Sequence, residues 1–377
     1  GRICPAPCEN GCRRAKFDQS VSICLLKRYV ADVDLFSAQP YLPVCGPKKD
    51  KRVAIIGAGP AGLSAAYYLS QKGYICTIYD ENKKPGGMLR YSDCSKKLAT
   101  EVLDKEIAII KQLDVEFFGQ TKIDSALSLE NIRQESDAVF IAVGELIPNN
   151  NEYLGLAMGQ KGVKINNAYQ TNIPGVFAGG DAVSKRTLAV RSVADGKKAA
   201  IAIDEFLSGQ EVTGSQKKFN SRIGKLLANE IDNFMLLANY SSRLSPSSKN
   251  EGFSHEQAKQ ESARCLHCDC RKSDSCVLRQ YSQKYQARQN RYKGERNLFS
   301  QQIQHPDIIY EPGKCIKCGL CIQIASKAKE KLGLTFIGRG FDVKVAVPFD
   351  KTLTEGLTQI GHKCVKACPT AALALKD

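Results

Sequence analysis

KRVAIIGAGPAGLSAAYYLSQKGYICTIYDEN, residues 51–82, decides the fold. An apolar strand, Val53 to Ile56, runs into Gly57-Ala58-Gly59-Pro60-Ala61-Gly62, and a helix follows to about Gln71. A second strand, Tyr74 to Tyr79, ends on Asp80. The glycines permit the tight turn and let backbone approach a pyrophosphate seated on the helix N-terminus, while Asp80 is placed to accept from ribose hydroxyls. A lone Gly-x-Gly-x-x-Gly is weak, but here strand, turn, helix, strand and acid come in the required order. Dinucleotide binding is the reading, ahead of a structural glycine-rich turn.

GVFAGGDA, residues 175–182, indicates which dinucleotide. It offers a strand from Gly175, close backbone approach at Gly179-Gly180, and Asp181, whose carboxylate suits a ribityl hydroxyl. RTLAVRSVADGKKAAIAIDEFL then has a helical apolar period, with its N-terminus aimed at a flavin's pyrimidine edge. KKPGGMLRY, residues 83–91, adds Gly86, Gly87 and Met88 after the ribose strand. FAD is the expected cofactor. Between these pieces DAVFIAVG ends on Gly144 and falls into a polar loop with Asn149, Asn150 and Asn151.

The cysteines carry the second signal. ARCLHCDCRKSDSC places Cys265, Cys268, Cys270 and Cys276 close enough to wrap one iron–sulfur cluster. A Cys4 zinc site is the alternative, although the Cys-x-Cys step is unusual for a zinc knuckle. His267 is read as packing against this site, since four cysteines suffice. GKCIKCGLCIQIA supplies Cys315, Cys318 and Cys321 at the ferredoxin spacing, with Ala325 where a fourth cysteine would fall. The distant Cys368-Pro369 pair can close the cluster, and Cys364, one helical turn earlier, competes for that place. At the N-terminus Cys4, Cys8 and Cys12 stand at four-residue steps. Cys24 is the candidate fourth ligand on a helix from about Val21 to Val30, on the same side as Lys27. A self-contained cluster, a cluster completed by upstream residues, and a metal-free segment all remain open there.

Size and charge bound the rest. The 377 residues have room for two or three domains. Sixteen cysteines clustered at short spacings point to metal in a reducing, cytoplasmic setting rather than to disulfides. No run of 18 uninterrupted apolar residues occurs, so no membrane span is expected; the nearest stretch, 53–69, is broken by Gly57, Gly59, Pro60 and Gly62. The chain opens on Gly1 without Met, and its start is expected upstream. A formal charge of +15 invites nucleic acid. Clusters and FAD would each remove about two charges, and the Lys and Arg residues form no single stripe, so a solvated surface is expected and no nucleic acid. There is no Ser–His–Asp order and no His-Glu-x-x-His, and the four histidines are scattered.

Two family resemblances organise these pieces. On CPAPCENGC, GAGPAGLSAAYYL, PGGMLRY, DAVFIAVG and IPGVFAGGDAV, residues 1–210 resemble the small subunit of glutamate synthase and related FAD-containing, iron–sulfur-linked oxidoreductases. The resemblance implies FAD on the Gly57–Gly62 turn, Asp80, the Gly86-Gly87 loop and Asp181. Members of that family insert a second nucleotide-binding domain where this chain has only residues 145–179, and Gly155, Gly159 and Gly162 have the wrong spacing for its fingerprint. A domain of that kind cannot fit there, so the nicotinamide domain is expected to be missing near 145–162. In the family, Cys4, Cys8 and Cys12 are shared between two clusters whose other ligands lie upstream, and Lys27 stands where an acidic or amide ligand is usual.

From GKCIKC to CPTAAL, with GRGFDV between, the chain resembles the cluster-bearing part of the large iron–sulfur subunit of complex I, which has relatives in NAD-linked hydrogenases and formate dehydrogenases. This resemblance selects Cys368 over Cys364.

The expected architecture is α/β: a Rossmann-like FAD-binding domain flanked by a small helical N-terminal segment and a C-terminal ferredoxin-like iron–sulfur domain. Boundaries are expected at 1–50, 51–210, a helical linker 211–262, and 263–377. The expected function is an electron-transfer subunit with FAD and at least two [4Fe-4S] clusters, a third being conceivable at the N-terminus. Its partners would be other subunits of a redox complex, with ferredoxin a candidate. The alternatives are a reductase whose flavin meets NAD(P)H on another chain, and a scaffold whose clusters are structural.

Overall fold

The computed structural model describes residues 1–377 apart from 147–151, 187, 217, 221–225, 247–250, 273, 289–290, 292–293 and 377. Asn149, Asn150 and Asn151, and with them part of the expected deletion site, lie outside the described residues. The chain divides into two compact units. One comprises 1–9, 22–216 and 245–258; the other comprises 10–21, 217–244 and 259–377.

In the first unit β1 (Arg52–Ile56), β2 (Ile75–Tyr79), β3 (Glu116–Phe118), β4 (Ala138–Ile141) and β8 (Val176–Ala178) form a parallel sheet in the order β3-β2-β1-β4-β8. Between β4 and β8 come β5 (Glu152–Tyr153), β6 (Leu156–Gly159) and β7 (Gly162–Val163), paired antiparallel as a small meander. Successive strand residues point to opposite faces. Val53, Ile55, Phe140 and Phe177 therefore pack under one layer with Ala65, Leu69, Ala199 and Ile203 of the helices Pro60–Gln71 and Ala189–Leu207. Ala54, Ile56, Val139, Ile141 and Val176 pack on the other face against Leu129, Leu156 and Val163. This is a Rossmann-like α/β unit. Its meander occupies the place where the sequence suggested a missing domain.

The second unit carries two small antiparallel pairs. β9 (Ile308–Tyr310) pairs with β12 (Leu373–Leu375), and β10 (Thr335–Ile337) with β11 (Lys344–Ala346). Helices Leu320–Lys327 and Gly361–Ala367 share their core, which includes Ala325, Cys364 and Val365.

The unit boundaries depart from the expected domains. Residues 1–50 are divided, with 10–21 in the unit of the C-terminal half. Two fully buried arginines explain this. Arg14 grips Asp18 with Nε and Nη2 at 2.6 and 2.7 Å and donates through Nη1 to the carbonyls of Asn239 and Arg264. Arg264 donates to Glu261 at 2.9 Å, to Asp18 at 3.2 Å and to Gln19 O at 2.8 Å. A guanidinium without water is tolerated only when its donors are met, and here acids and carbonyls from distant segments meet them. The expected linker 211–262 is likewise divided. Its helix Ala228–Met235 is held in the second unit by Glu230, which binds Arg296 and the Phe299 N–H, and by Phe234 stacked on Phe299 with centroids 4.2 Å apart.

These anchors give the second unit a signed acid response. The Arg14 bond pulls the Asp18 carboxyl down to about 2, and Arg296 pulls Glu230 down to about 2 against its burial. Both are depressed on folding, so their stabilisation is fully present above about pH 4.5 and is lost as pH falls towards 2. Arg14→Ala should destabilise this unit by about 3 kcal/mol, because it leaves the acid and carbonyls around it unpaired. Denaturant unfolding followed by a probe in the second unit checks both, and Glu230→Gln should flatten the pH profile between 4.5 and 2.

Candidate functional site

The carboxyl ends of β1, β4 and β8 present three glycine-rich turns, where open α/β sheets bind ligands. Each glycine is there for a definable reason. At Gly57 φ is +106°, and a Cβ would fall 2.3 Å from the Ala142 carbonyl oxygen. A Cβ on Gly62 would fall 1.9 Å from Gly57 O. Gly86 donates to Ala58 O at 2.9 Å, which brings Gly87 so close that its Cβ would stand 2.7 Å from the Gly59 Cα. Gly180, with φ +67°, stands against Ala61. Gly59 and Gly144 differ: a Cβ at either meets no protein atom within 4 Å. Gly59 also has φ −76°, which any residue adopts. The space beside it is open at the N-terminal end of Pro60–Gln71, where the backbone favours an anion. The described residues thus fit a dinucleotide, with Pro60 and Ala61 in the first turn and Met88 opening the short helix Met88–Tyr91.

The two acids are partly engaged by the protein. Asp80 Oδ2 accepts from Ala58 N at 2.6 Å, and Oδ1 accepts from the Asn82 N–H and side-chain amide. The carboxylate expected on a ribose therefore also pins the glycine turn. Asp181 Oδ1 accepts from Arg186 N at 2.9 Å. A network that no motif announced supports this loop. Buried Asp195 accepts from Tyr169 OH at 2.9 Å and from Arg186 Nε at 2.8 Å. Burial, with Asp195 beside it, pushes the Tyr169 hydroxyl up, which keeps it a donor.

In the second unit Cys315, Cys318, Cys321 and Cys368 line one hollow, with Tyr310, Val345 and Leu373 among its walls. The Gly319 turn, φ +76°, lets Cys318 and Cys321 face the same space from loop and helix. Burial pushes Cys321 up to about 12, with Cys364, Cys315, Cys368 and Cys318 adding to it, so anionic sulfurs here repel until a metal neutralises them. Lys317 N–H donates to Cys315 Sγ at 3.3 Å, and Thr370 Oγ1 lies 3.7 Å from Cys368 Sγ. Cys364 is fully buried outside that lining, with its thiol 3.7 Å from Cys321 O.

The other cysteines are less gathered. Cys268 lies within electrostatic reach of Cys265 and Cys12, and burial chiefly raises it. Cys276 is buried at the start of the helix Val277–Lys284, and Cys270 N–H donates to Asp269. Among the described residues no three Cys, His, Asp or Glu side chains close on one ion-sized point. A single zinc draws its sulfurs to about 2.3 Å, whereas a cluster of several irons spaces its thiolates around a larger body. The proposed N-terminal set is split between the units. Cys4, Cys8 and Cys24 lie in the first, where Cys24 Sγ stands 3.7 Å from Cys4 O and its N–H donates to Glu9. Cys12 lies in the second, where the next residue, Arg13, donates to Cys268 O at 3.1 Å. The helix carrying Cys24 runs Ile23–Leu35.

Residues 24–196 match the family described as pyridine nucleotide-disulphide oxidoreductase. In this region the chain is similar to glutamate synthase small chains and to beta subunits of related oxidoreductases. It is 40% identical over 168 residues to the NADPH-Fe(3+) oxidoreductase subunit beta of Geobacter sulfurreducens, covering 44% of this chain and 24% of that one. It is 38% identical over 165 residues to the NADP(+)-dependent formate dehydrogenase subunit beta of Moorella thermoacetica, covering 38% and 23%. The glutamate synthase [NADPH] small chain of Bacillus subtilis is 34% identical over 146 residues, covering 38% and 29%. The chain thus spans 23–29% of the length of these relatives.

The contrast between two glycines of this region tests the cradle. Gly59→Leu should lower FAD affinity at least about tenfold while leaving apo-protein stability within about 1 kcal/mol, since its side chain enters empty space. Gly62→Ala should disrupt the fold itself. Flavin absorbance after dialysis and thermal unfolding of the apo-protein report the two effects separately.

Proposed function

We propose that the chain is an electron-transfer subunit of a larger redox assembly, holding FAD on the glycine cradle and four-iron clusters on the Cys315–Cys368 and Cys265–Cys276 sets. The observation that carries this reading is the hollow lined by Cys315, Cys318, Cys321 and Cys368, a donor set from two distant segments with apolar walls. When bound, the flavin would exchange electrons singly or in pairs, and each cluster would take one at a time. The protein's own residues bind and orient. The N-terminal N–H groups of helix Pro60–Gln71 would hold the phosphates of FAD, Asp80 and Asp181 would hold its sugar hydroxyls, and Tyr310, Val345 and Leu373 would pack apolar surface beside a cluster. The Lys317 N–H on Cys315 offsets negative charge there, which favours reduction.

The relatives' names, subunits of an NADPH-Fe(3+) oxidoreductase and a formate dehydrogenase, support neighbouring catalytic subunits of that general kind. A ferredoxin-type carrier is a further candidate partner. No described helix is long and apolar enough to cross a membrane, and a reducing, cytoplasmic setting fits the thiol chemistry. The reading of a reductase fed by NAD(P)H on a partner chain draws on the same names. The described meander between β4 and β8 fits both readings, since in either one the nicotinamide comes from another chain; the cysteine-lined hollow is what favours the relay.

Anaerobic reconstitution should yield one FAD and at least about eight irons per chain. Dithionite should bleach the flavin, and NADPH should not do so with saturation kinetics. Cys368→Ser should lose about four irons, and Cys364→Ser should keep them. Zinc at the Cys265 set, or rapid bleaching by NADPH, would sink the relay.

A further inference from the structure

The two cysteine sets of the second unit are joined at one place. Lys272 stands between Cys270 and Cys276, and its ammonium donates to the carbonyl oxygens of Val365 and Cys368, the latter at 3.1 Å. Six residues on, in the first turn of the helix Val277–Lys284, Leu278 N–H donates to Pro369 O at 3.3 Å. Cys276, buried at the cap position of that helix, therefore lies between two bonds that both end on the Cys368-Pro369 turn.

A bland account exists for the first bond. Val365 and Cys368 close the helix Gly361–Ala367, and a lysine at a helix C-terminus satisfies its last carbonyls. Two features exceed it. One carbonyl belongs to the residue whose thiol lines the hollow, so a half-buried positive charge is fixed beside that sulfur site. The second bond comes from backbone two residues from Cys276, so the arm bearing one cysteine set is clamped to the turn bearing the other.

We propose that Lys272 is a positioning residue that makes the Cys276–Cys368 junction the contact for electron exchange between the two centres. It also sets their order by raising the potential at Cys368. This rests on the reading that both cysteine sets hold four-iron clusters. One electron crosses, one centre being oxidised and the other reduced, with no bond made or broken and no proton moved. The ammonium favours the reduced, more negative state of the nearer centre, and its hydrogen bonds fix the separation.

The experiment uses the anaerobically loaded full chain, with dithionite as reductant. Iron per chain is counted, and EPR follows both centres through a redox titration. In the native protein the two reduced centres should broaden each other's signals. Lys272→Met should retain its iron, weaken that broadening, and lower the reduced-to-oxidised ratio of the Cys368 centre about tenfold at the native midpoint potential. Lys272→Gln, which keeps a donor but loses the charge, should lower the ratio while keeping more of the broadening, and Lys272→Arg should restore both. Native potential and native broadening in Lys272→Met with full iron would overturn the proposal and leave Lys272 a helix cap. If Lys272→Met fails to load, the Lys272→Gln potential decides in the same two directions. A native chain without iron at the Cys265 set would overturn the functional reading itself, an outcome the iron count separates from the others.

Discussion

Where backbone packs directly on backbone there is no room for side chains, and the glycine turn of the first unit is built around that constraint. Gly62 lies where any Cβ would collide with Gly57 O, and Gly196 of the long helix lies where one would collide with Ala61 O. The helix Pro60–Gln71 is thereby pressed both onto the sheet and onto its neighbour. Gly87 and Gly180 then close on the same turn from two later segments. Among the three glycines of that turn, Gly59 differs in that a Cβ there meets no protein atom within 4 Å. Asp80, by accepting the Ala58 N–H, ties the end of β2 to the same turn.

The second unit has a different organising constraint. Its cysteine loops have little regular structure to hold them, and buried charge does that work. Arg14 and Arg264, both buried, collect buried Glu261, the more exposed Asp18 and carbonyls from three segments into one knot immediately before Cys265. Such a knot is costly to leave half-made, which gives it value for specifying one arrangement rather than for adding stability. It also draws Cys12 and Arg13 to the Cys268 loop. A fixed loop base reduces how much chain a bound metal must order.

What was legible in the sequence follows from how local each constraint is. The Gly57–Gly62 turn could be read because steric exclusion at each glycine leaves a mark at fixed spacing, and the strands and helix around it appear within a residue or two of expectation. Cys315, Cys318 and Cys321 could be read for the same reason. Cys368 sits beyond several further strands and helices, and the family resemblance chose it over Cys364; in the structure Cys368 borders the hollow and Cys364 is core. The division of the first 50 residues could not be read. Arginine is mostly exposed, and nothing local marks Arg14 and Arg264 as the exceptions. Cys24 is joined to Cys4, Cys8 and Cys12 by its helical side shared with Lys27, a local argument that carries no information about a chain that passes from one unit into the other between Glu9 and Asn10. The Tyr169–Asp195–Arg186 network and Lys272 were invisible likewise, because their partners are distant in sequence and follow no period.

Electron capacity tests the central claim most directly. The chain, loaded anaerobically, is titrated with dithionite while flavin absorbance and EPR are recorded together. A flavin accepts two electrons and each cluster one, so the relay account predicts at least about four electrons per chain, with EPR signals from reduced clusters growing alongside flavin bleaching. Uptake of only about two electrons, confined to the flavin, would mean that the cysteine sets hold nothing redox-active, and would contradict it.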